Sequence, residues 1–385
     1  MTASTSSAVD YDAVFAYARD VLAPLAEKGL HGRVDPVLTR ALGEGGILPA
    51  LYPEGDRAQA SARTICEIRE RVAYHCVAAE VAVAMQGIGG YPILQSGQDH
   101  QRAEWLPRVR TGEAVAAFAL TEPECGSDAA AVQLRAERTG RGWKLYGRKK
   151  WISNAPGAHF YTTFARTGDE PGSRGVTAFL VPADRPGLTA TPLELINPHP
   201  IGTLDFDGVE VTEDDVLGEV NRGFRVAMQT FDLFRPSVGA AAIGMAQRAL
   251  DMTVERVTTR RMFGVLLGEK QGAAHQLADA ATALDAARLL VRRAADAYDS
   301  ADPRVTAHSA MAKLYATETA QKVIDTAVQL HGAAALAATH PVGQLYTEIR
   351  ATRIYEGASE VQRDLIARDL FRDTALGRRS SRAAR

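Results

Sequence analysis

Ala119-Leu120-Thr121-Glu122-Pro123-Glu124-Cys125-Gly126-Ser127-Asp128-Ala129-Ala130-Ala131 is the stretch that decides how this chain is read. An apolar run gives way to a hydroxyl and then to a Gly-Ser-Asp turn. A strand feeding such a turn aims backbone N–H groups and two hydroxyls at a flat polar ring or a phosphate. On its N-terminal side the pattern is helical. Val14, Phe15, Ala18, Val21 and Leu22 fall at helical spacing within Tyr11–Leu25. Asp35–Leu42 continues the habit until Gly43 to Gly46 break it. Residues 61–85 form a long Ala- and Val-rich pattern expected of one buried helix, with Gly87-Ile88-Gly89-Gly90 as its punctuation.

Around and beyond the opening stretch the period changes. Ala114–Leu120, His159–Ala165 and Gly175–Pro182 read as strands. Val132–Gly147 reads as a hairpin turning at Gly140-Arg141-Gly142. From Gly223 the helical period returns, with Leu277, Ala281, Leu284, Ala287 and Val291 on one face. Three or four long helices fit, broken near Phe263-Gly264, Asp302-Pro303 and His340-Pro341, which suggests a bundle. The expected fold is mostly α with a central β domain. Its parts are a helical domain (1–114), a β domain (115–217) and a C-terminal helix-bundle domain (218–385).

Composition narrows the function. The chain has 385 residues and a net charge of −2, which favours neither nucleic acid nor an anionic membrane. The Arg378-Arg379-Ser380-Ser381-Arg382 tail is too short to change that. Three cysteines, Cys66, Cys76 and Cys125, form no Cys-x-x-Cys pair, so neither a disulfide framework nor a zinc site is expected. No apolar run is expected to span a bilayer. The Met1-Thr-Ala-Ser-Thr-Ser-Ser start lacks a secretion pattern, and a cytoplasmic location is expected. There is no Gly-x-Gly-x-x-Gly fingerprint after a strand, no P-loop, no His-Glu-x-x-His and no Gly-x-Ser-x-Gly.

Far downstream, Ile354-Tyr355-Glu356-Gly357-Ala358-Ser359-Glu360-Val361-Gln362-Arg363 sets one carboxylate between an aromatic and a glycine. In an apolar slot such a carboxyl has a raised pKa and becomes a competent base near neutral pH. Gly357 lets backbone approach a ligand closely. The bland reading is a carboxylate that favours the start of the next helix. For Trp151 the bland reading is plain core, for Arg260 and Arg261 a solvated helix face, for His331 a satisfied histidine, and for Arg235 a structural ion pair.

Together the two segments resemble the acyl-CoA dehydrogenase family, flavoproteins that oxidise the α,β bond of an acyl thioester. The resemblance runs from Phe15 to about Phe371. It implies a helical domain, a β-barrel or sandwich domain and a C-terminal four-helix bundle, with FAD as cofactor. Glu356 falls where most of the family carries its catalytic base. Phe234 occupies the position where a minority place that base, and it cannot accept a proton. By the same resemblance, Phe118, Leu120, Thr121, Gly126 and Ser127 line the flavin and its pyrophosphate, and Trp151 and Ser153 cover its other side. Arg260, Phe263 and Gln271 match the element that grips the FAD of a partner chain. Gln329 and Gly332 match the loop that cradles its adenosine half. Phe231, Asp232, Arg235, Tyr355, Gly357 and Ser127 match substrate contacts.

The implied reaction removes the α-proton with Glu356 and sends the β-hydride to flavin N5. The thioester oxygen is held by a ribityl hydroxyl and the Glu356 N–H. The implied partners are an acyl-CoA or acyl-carrier protein substrate, an electron-transfer flavoprotein or other acceptor, and further copies of the chain as a tetramer or dimer. Several positions depart from the family pattern. Gly332-Ala333-Ala334-Ala335 replaces a glycine-rich loop, so glycine-only dihedrals are not expected there. Ala358 replaces a threonine of the flavin site, with Ser359 as its expected substitute. Thr347-Glu348 replaces Arg-Asp, and Pro53-Glu54-Gly55-Asp56 lacks a usual Gly-Gly. These departures suit a biosynthetic member acting on a carrier-bound acyl group. The rival readings are a flavin oxidase or monooxygenase on the same fold, which usually lacks the glutamate, and a DNA-binding relative, which the net charge disfavours.

Overall fold

Asp10 and Asp35 begin the first two helical stretches by accepting hydrogen bonds from the N–H groups two and three residues on. The computed structural model describes residues 9–55, 59–372 and 374; the Met1–Ser7 start, Asp56 and the basic tail lie outside the described residues. α1 (Tyr11–Tyr17) passes through one π turn (Ala18–Leu22) into α2 (Ala23–Lys28). α3 (Pro36–Glu44) and α4 (Ile47–Leu51) follow, separated by Gly46 in the left-handed region.

The pattern expected as one helix over 61–85 is two: α5 (Ala62–His75) and α6 (Val77–Ser96). Cys76 is extended between them, and its Sγ accepts from Ala79 N at 3.4 Å, which starts α6. Gly87-Ile88-Gly89-Gly90 does not punctuate the chain, as expected from sequence, but lies buried inside α6. The glycines allow close approach. A Cβ on Gly89 would stand 2.7 Å from Ala117 N, and Thr162 Oγ1 donates to Gly89 O at 2.8 Å. The expectation about apolar runs is likewise corrected. Val77–Ser96 is long and apolar enough to cross a membrane by length and composition, and 67% of that window is buried inside the protein. α7 (Asp99–Arg110) completes the first lobe.

The sheet contains β1 (Ala116–Ala119), β2 (Arg135–Arg138), β3 (Gly142–Ser153), β4 (Phe160–Arg166), β5 (Val176–Pro182), β6 (Leu188–Pro192), β7 (Ile201–Thr212) and β8 (Val216–Leu217). Its order is β6-β7-β3-β2-β4-β5-β8, with β1 running parallel beside β4. The β2–β3 hairpin turns where the glycines predict. Trp143, Leu145, Tyr161, Phe179, Leu204 and Phe206 form a core of their own here. Two buried amides tie β1 to its surroundings. Gln86 takes Ala116 N at 2.7 Å and gives to Ala114 O at 2.9 Å, and Asn154 gives to Ala116 O at 2.8 Å.

α8 (Gly223–Thr259) leads into a small hairpin, β9 (Arg261–Met262) and β10 (Val265–Leu266). α9 (Gln271–Asp299), α10 (Val305–His331), α11 (Pro341–Thr352) and α12 (Ser359–Phe371) follow, with breaks where Gly and Pro announce them. α8, α9 and α10 pack on one another, and α5 lies along α8 and α9. The three cysteines are buried and free.

Gly89→Ala tests the α6–β1 contact. In an open helix this change stabilises by up to about 1 kcal/mol. Here overpacking against Ala116 and Ala117 wins, and urea unfolding is expected to show a net loss of about 1–3 kcal/mol.

Candidate active site

β1 delivers the opening stretch to the surface. Phe118 packs its ring on Phe164 at 4.9 Å and on Phe231 of α8 at 5.5 Å, so sheet and helix meet at this point. The turn beyond is fixed by a buried ion pair. Glu122 accepts from Gln133 N, Leu134 N and Lys149 Nζ, each at 2.8 Å. Lys149 is fully buried, gives a second bond to Leu120 O at 2.8 Å, and is drawn down to about 8 by burial against the pull of Glu122. Lys150 N donates to Thr121 O at 3.0 Å, which docks Thr121 on β3. Gly126 and Ser127 stand exposed on the turn, while Leu120 is buried beneath it.

β3 breaks its register between Lys149 and Ile152, and the break turns Trp151 outward at φ 62° with the indole half-exposed. Ser153 Oγ lies 2.9 Å from His199 Nε2. Burial pulls His199 down to about 4, so the ring is neutral at pH 7 and the pair is an uncharged hydrogen bond.

The loop between α11 and α12 carries Glu356. Glu356 has φ 50° and Gly357 φ 91°, two consecutive left-handed residues. Both Glu356 carboxylate oxygens are buried and have no hydrogen-bond partner. Burial raises this carboxyl to about 7; the charges of Arg69, Lys313 and Arg235 oppose the rise and Glu80 adds to it. Tyr355 and Gly357 flank it. Four helices supply those charges. Arg69 on α5 and Glu80 on α6 form an ion pair at 2.6 Å with both side chains 1% exposed, and Arg69 also donates to Ser237 Oγ at 2.7 Å. Glu348 on α11 is likewise raised to about 7, by burial and by the charge of Glu80.

Arg235 makes the ion pair that is the bland reading of it, to Asp232 at 3.3 Å, and stacks on Phe231 at 5.1 Å. Its Nε is nonetheless buried without a partner. Asp232 is further engaged by Thr306 Oγ1 at 3.0 Å. Phe234 is fully buried, its ring against Tyr91 and over Gly87. Ser359, the expected substitute for the missing threonine, is 3% exposed and donates its hydroxyl to Glu318 Oε1 at 2.6 Å, where Glu318 also binds Arg353. The first turn of α12 points that hydroxyl inward onto α10.

A second cluster lies elsewhere. Arg260 ends α8, Phe263 stands 86% exposed at φ 51°, and Gln271 opens α9 on the surface. Gln329 and Gly332 are exposed at the end of α10, whose His331 feels the charge of Arg256 on α8. The expectation that this loop lacks glycine-only dihedrals is corrected: Gly332 has φ 65°, and the alanines after it form a 3₁₀ turn that needs none. Phe231 and Arg260 are 29 positions apart on α8. At 1.5 Å per residue that is roughly 43 Å. The second cluster therefore lies far along α8 from the Phe231 corner.

Sequence reasoning missed Arg69, Glu80, Lys149, Lys313 and Gln362. A signal existed for three of them: Arg69, Glu80 and Lys313 are charges inside apolar helical patterns, as Arg69 is between Ile65, Ile68 and Val72. An open cleft of about 1090 Å³ between α3, α4 and α7, lined by Arg40, Tyr52, Arg102 and Arg110, contains none of the predicted site residues. Among the described residues no His, Cys, Asp and Glu group could hold a metal ion.

The order of helical lobe, sheet and helix bundle, with a carboxyl buried among helices of the lobe and the bundle, defines the class. Family models match all three parts: the acyl-CoA dehydrogenase N-terminal domain over 11–113, the middle domain over 117–209 and the C-terminal domain over 221–371. This chain belongs to the acyl-CoA dehydrogenase family, whose members are FAD-dependent oxidoreductases acting on CH–CH bonds. Among its relatives, cyclohexane-1-carbonyl-CoA dehydrogenase of Geobacter metallireducens is 33% identical over 364 residues, 93% of this chain and 95% of the relative. The mitochondrial short-chain specific acyl-CoA dehydrogenase of Rattus norvegicus is 39% identical over 73% of this chain and 69% of the relative. The solved butyryl-CoA dehydrogenase from Megasphaera elsdenii superposes with TM-score 0.88 at 31% identity, covering 94% of this chain and 97% of that one.

The Glu122–Lys149 pair makes a direct prediction. Lys149→Met or Glu122→Gln leaves an unmatched buried group and is expected to cost about 3–5 kcal/mol each. A double-mutant cycle in urea is expected to show the double variant losing clearly less than the sum.

Proposed function

We propose that this chain is an FAD-dependent dehydrogenase of an acyl thioester, with Glu356 as the base that takes the α-proton. The observation that carries the reading is the Glu356 carboxyl, buried with both oxygens unpartnered and raised to about 7. Such a group accepts a proton readily near neutral pH because no hydrogen bond must first be broken. FAD, when bound, supplies the acceptor for the β-hydride. The residues present fit that cofactor: an exposed indole at Trp151, hydroxyls at Thr121, Ser127 and Ser153, and the exposed Gly126 turn.

The chain's own groups divide the work. Lys149 and Glu122 hold the Thr121 turn. Glu356 takes the α-proton as that C–H bond breaks, and its N–H steadies the charge that develops on the thioester oxygen. Phe231 and Arg235 sit beside this corner and are the groups we assign to the substrate's thioester arm. We assign Arg260, Phe263, Gln271, Gln329 and Gly332 to the cofactor of a second copy, because roughly 40 Å of α8 separates Arg260 from Phe231. The exposed Phe263 and Leu336, 86% and 78% accessible, support a homo-oligomer. The acyl carrier is coenzyme A or a carrier protein. An electron-transfer flavoprotein or other acceptor takes the electrons onward.

An anaerobic screen decides this: butyryl-CoA, cyclohexane-1-carbonyl-CoA and acyl-carrier proteins are mixed with the FAD-loaded protein and bleaching is followed. Bleaching with an enoyl product supports the reading; none with any thioester overturns it. Glu356→Gln is expected to slow bleaching by at least about 1000-fold. With the wild type, the rate is expected to rise as pH passes through about 7, as the carboxyl ionises.

The same group links stability to pH. Its folded pKa lies above the unfolded value of about 4.3, so its contribution is complete below that value and is lost as pH rises through about 7. Glu356→Gln is therefore expected to be more stable than the wild type at pH 8, by about 1–3 kcal/mol, with the two converging near pH 4.

A further inference from the structure

Lys313 sits in the middle of α10 with no exposed surface, surrounded by Ala310, Ala312, Ala316 and Thr317. A buried ammonium normally has a carboxylate against it. Among the described residues Lys313 has none within ion-pair distance. Its Nζ donates instead to the main-chain oxygen of Gly357, at 2.7 Å. Gln362, also fully buried in the first turn of α12, donates to the same oxygen at 2.9 Å and approaches Glu356 O at 3.4 Å. Two buried donors thus converge on one carbonyl, directly after the residue that holds φ 50°.

That backbone conformation needs support. A non-glycine residue in the left-handed region costs about 1–2 kcal/mol relative to the right-handed one. Nothing hydrogen-bonds the Glu356 side chain to hold it in place. Its aim is therefore set from the backbone side, by the carbonyl that follows.

We propose that Lys313 is a positioning residue for the reaction: its ammonium and the Gln362 amide clamp the Gly357 carbonyl, which fixes where the Glu356 carboxylate points, and its charge stabilises that carboxylate when ionised. The proposal rests on Glu356 being the base. The charged groups that act on Glu356 come from each helix packed around it: Arg69 from α5, Glu80 from α6, Arg235 from α8 and Lys313 from α10. Lys313 in turn feels Glu356, Arg235, Glu318 and Glu360, and burial draws it down to about 8.

Two variants separate the clamp from the charge. Lys313→Gln keeps a donor and removes the charge, while Lys313→Met removes both. Each is prepared as the FAD-loaded protein, with folding checked by circular dichroism, and mixed anaerobically with butyryl-CoA or, if that thioester does not bleach the wild type, cyclohexane-1-carbonyl-CoA. Lys313→Gln is expected to move the acid limb of the rate profile upward by about one pH unit and to approach the wild-type rate at high pH. Lys313→Met is expected to lose at least about tenfold in kcat at every pH, with KM within about twofold. Difference infrared spectra against Glu356→Gln read the carboxyl titration directly, without turnover, and are expected to show the same upward move in Lys313→Gln.

Unchanged kcat and an unmoved carboxyl titration in both variants, with Glu356→Gln inactive, would overturn the role of Lys313 and leave the base intact. Full activity of Glu356→Gln would overturn the base assignment and the clamp with it. Should Lys313→Met not fold, Gln362→Leu removes the other half of the clamp and is expected to lower kcat without moving the titration; wild-type kcat in Gln362→Leu counts against the clamp.

Discussion

A carboxyl group buried among four charged helices, with no hydrogen bond of its own, is the constraint on which this structure turns. Such a group disfavours ionisation, and the fold answers by surrounding it with cations that are themselves tied down. Arg69 is held by Glu80 and Ser237, Arg235 by Asp232 and the Phe231 ring, Lys313 by the Gly357 carbonyl. None of the three forms a direct ion pair with Glu356. The charges bias the carboxyl from a distance and leave its lone pairs open. A direct salt bridge would have depressed the pKa and spent the oxygens on a structural partner.

The same logic explains the other buried pair. Glu122 and Lys149 have no reactive role in the proposed chemistry, yet they sit at the foot of the turn that the sequence singles out. Four hydrogen bonds converge on the two side chains, and three of them engage backbone groups from two separate segments, Gln133-Leu134 and Leu120. A buried ion pair is a poor source of stability but a strong source of uniqueness when its partners are backbone groups. Here it ties Leu120, beside Thr121, to β3 and to the Gln133-Leu134 segment.

Much of the architecture was legible in the residues. Breaks at Phe263-Gly264, Asp302-Pro303 and His340-Pro341 marked the helix ends because glycine and proline act locally. Gly87 to Gly90 misled for the opposite reason: their role is a long-range one, the approach of α6 to β1, which no local pattern reports. Strand β6 escaped notice because it alternates weakly and carries little burial. The buried setting of Glu356 was legible through its motif; the Ser359 hydrogen bond was not. Which way a hydroxyl faces depends on the α12 phase and on Glu318, forty-one positions earlier. Lys313 and Arg69 stood out only as charges on apolar faces, and a sequence does not say what lies opposite.

α8 is one long helix that joins two corners of the protein. In the proposed reading Phe231 and Arg235 serve the corner near its start, and Arg260 caps its far terminus roughly 43 Å from Phe231. In the proposed assembly that far terminus completes a neighbour's cofactor pocket. A lesion there would leave its own subunit's chemistry sound and cripple the adjacent one. Two chains, one damaged at each end of the rod, would then restore a working pocket between them when mixed, so that the functional unit of this protein is a junction between molecules instead of a molecule.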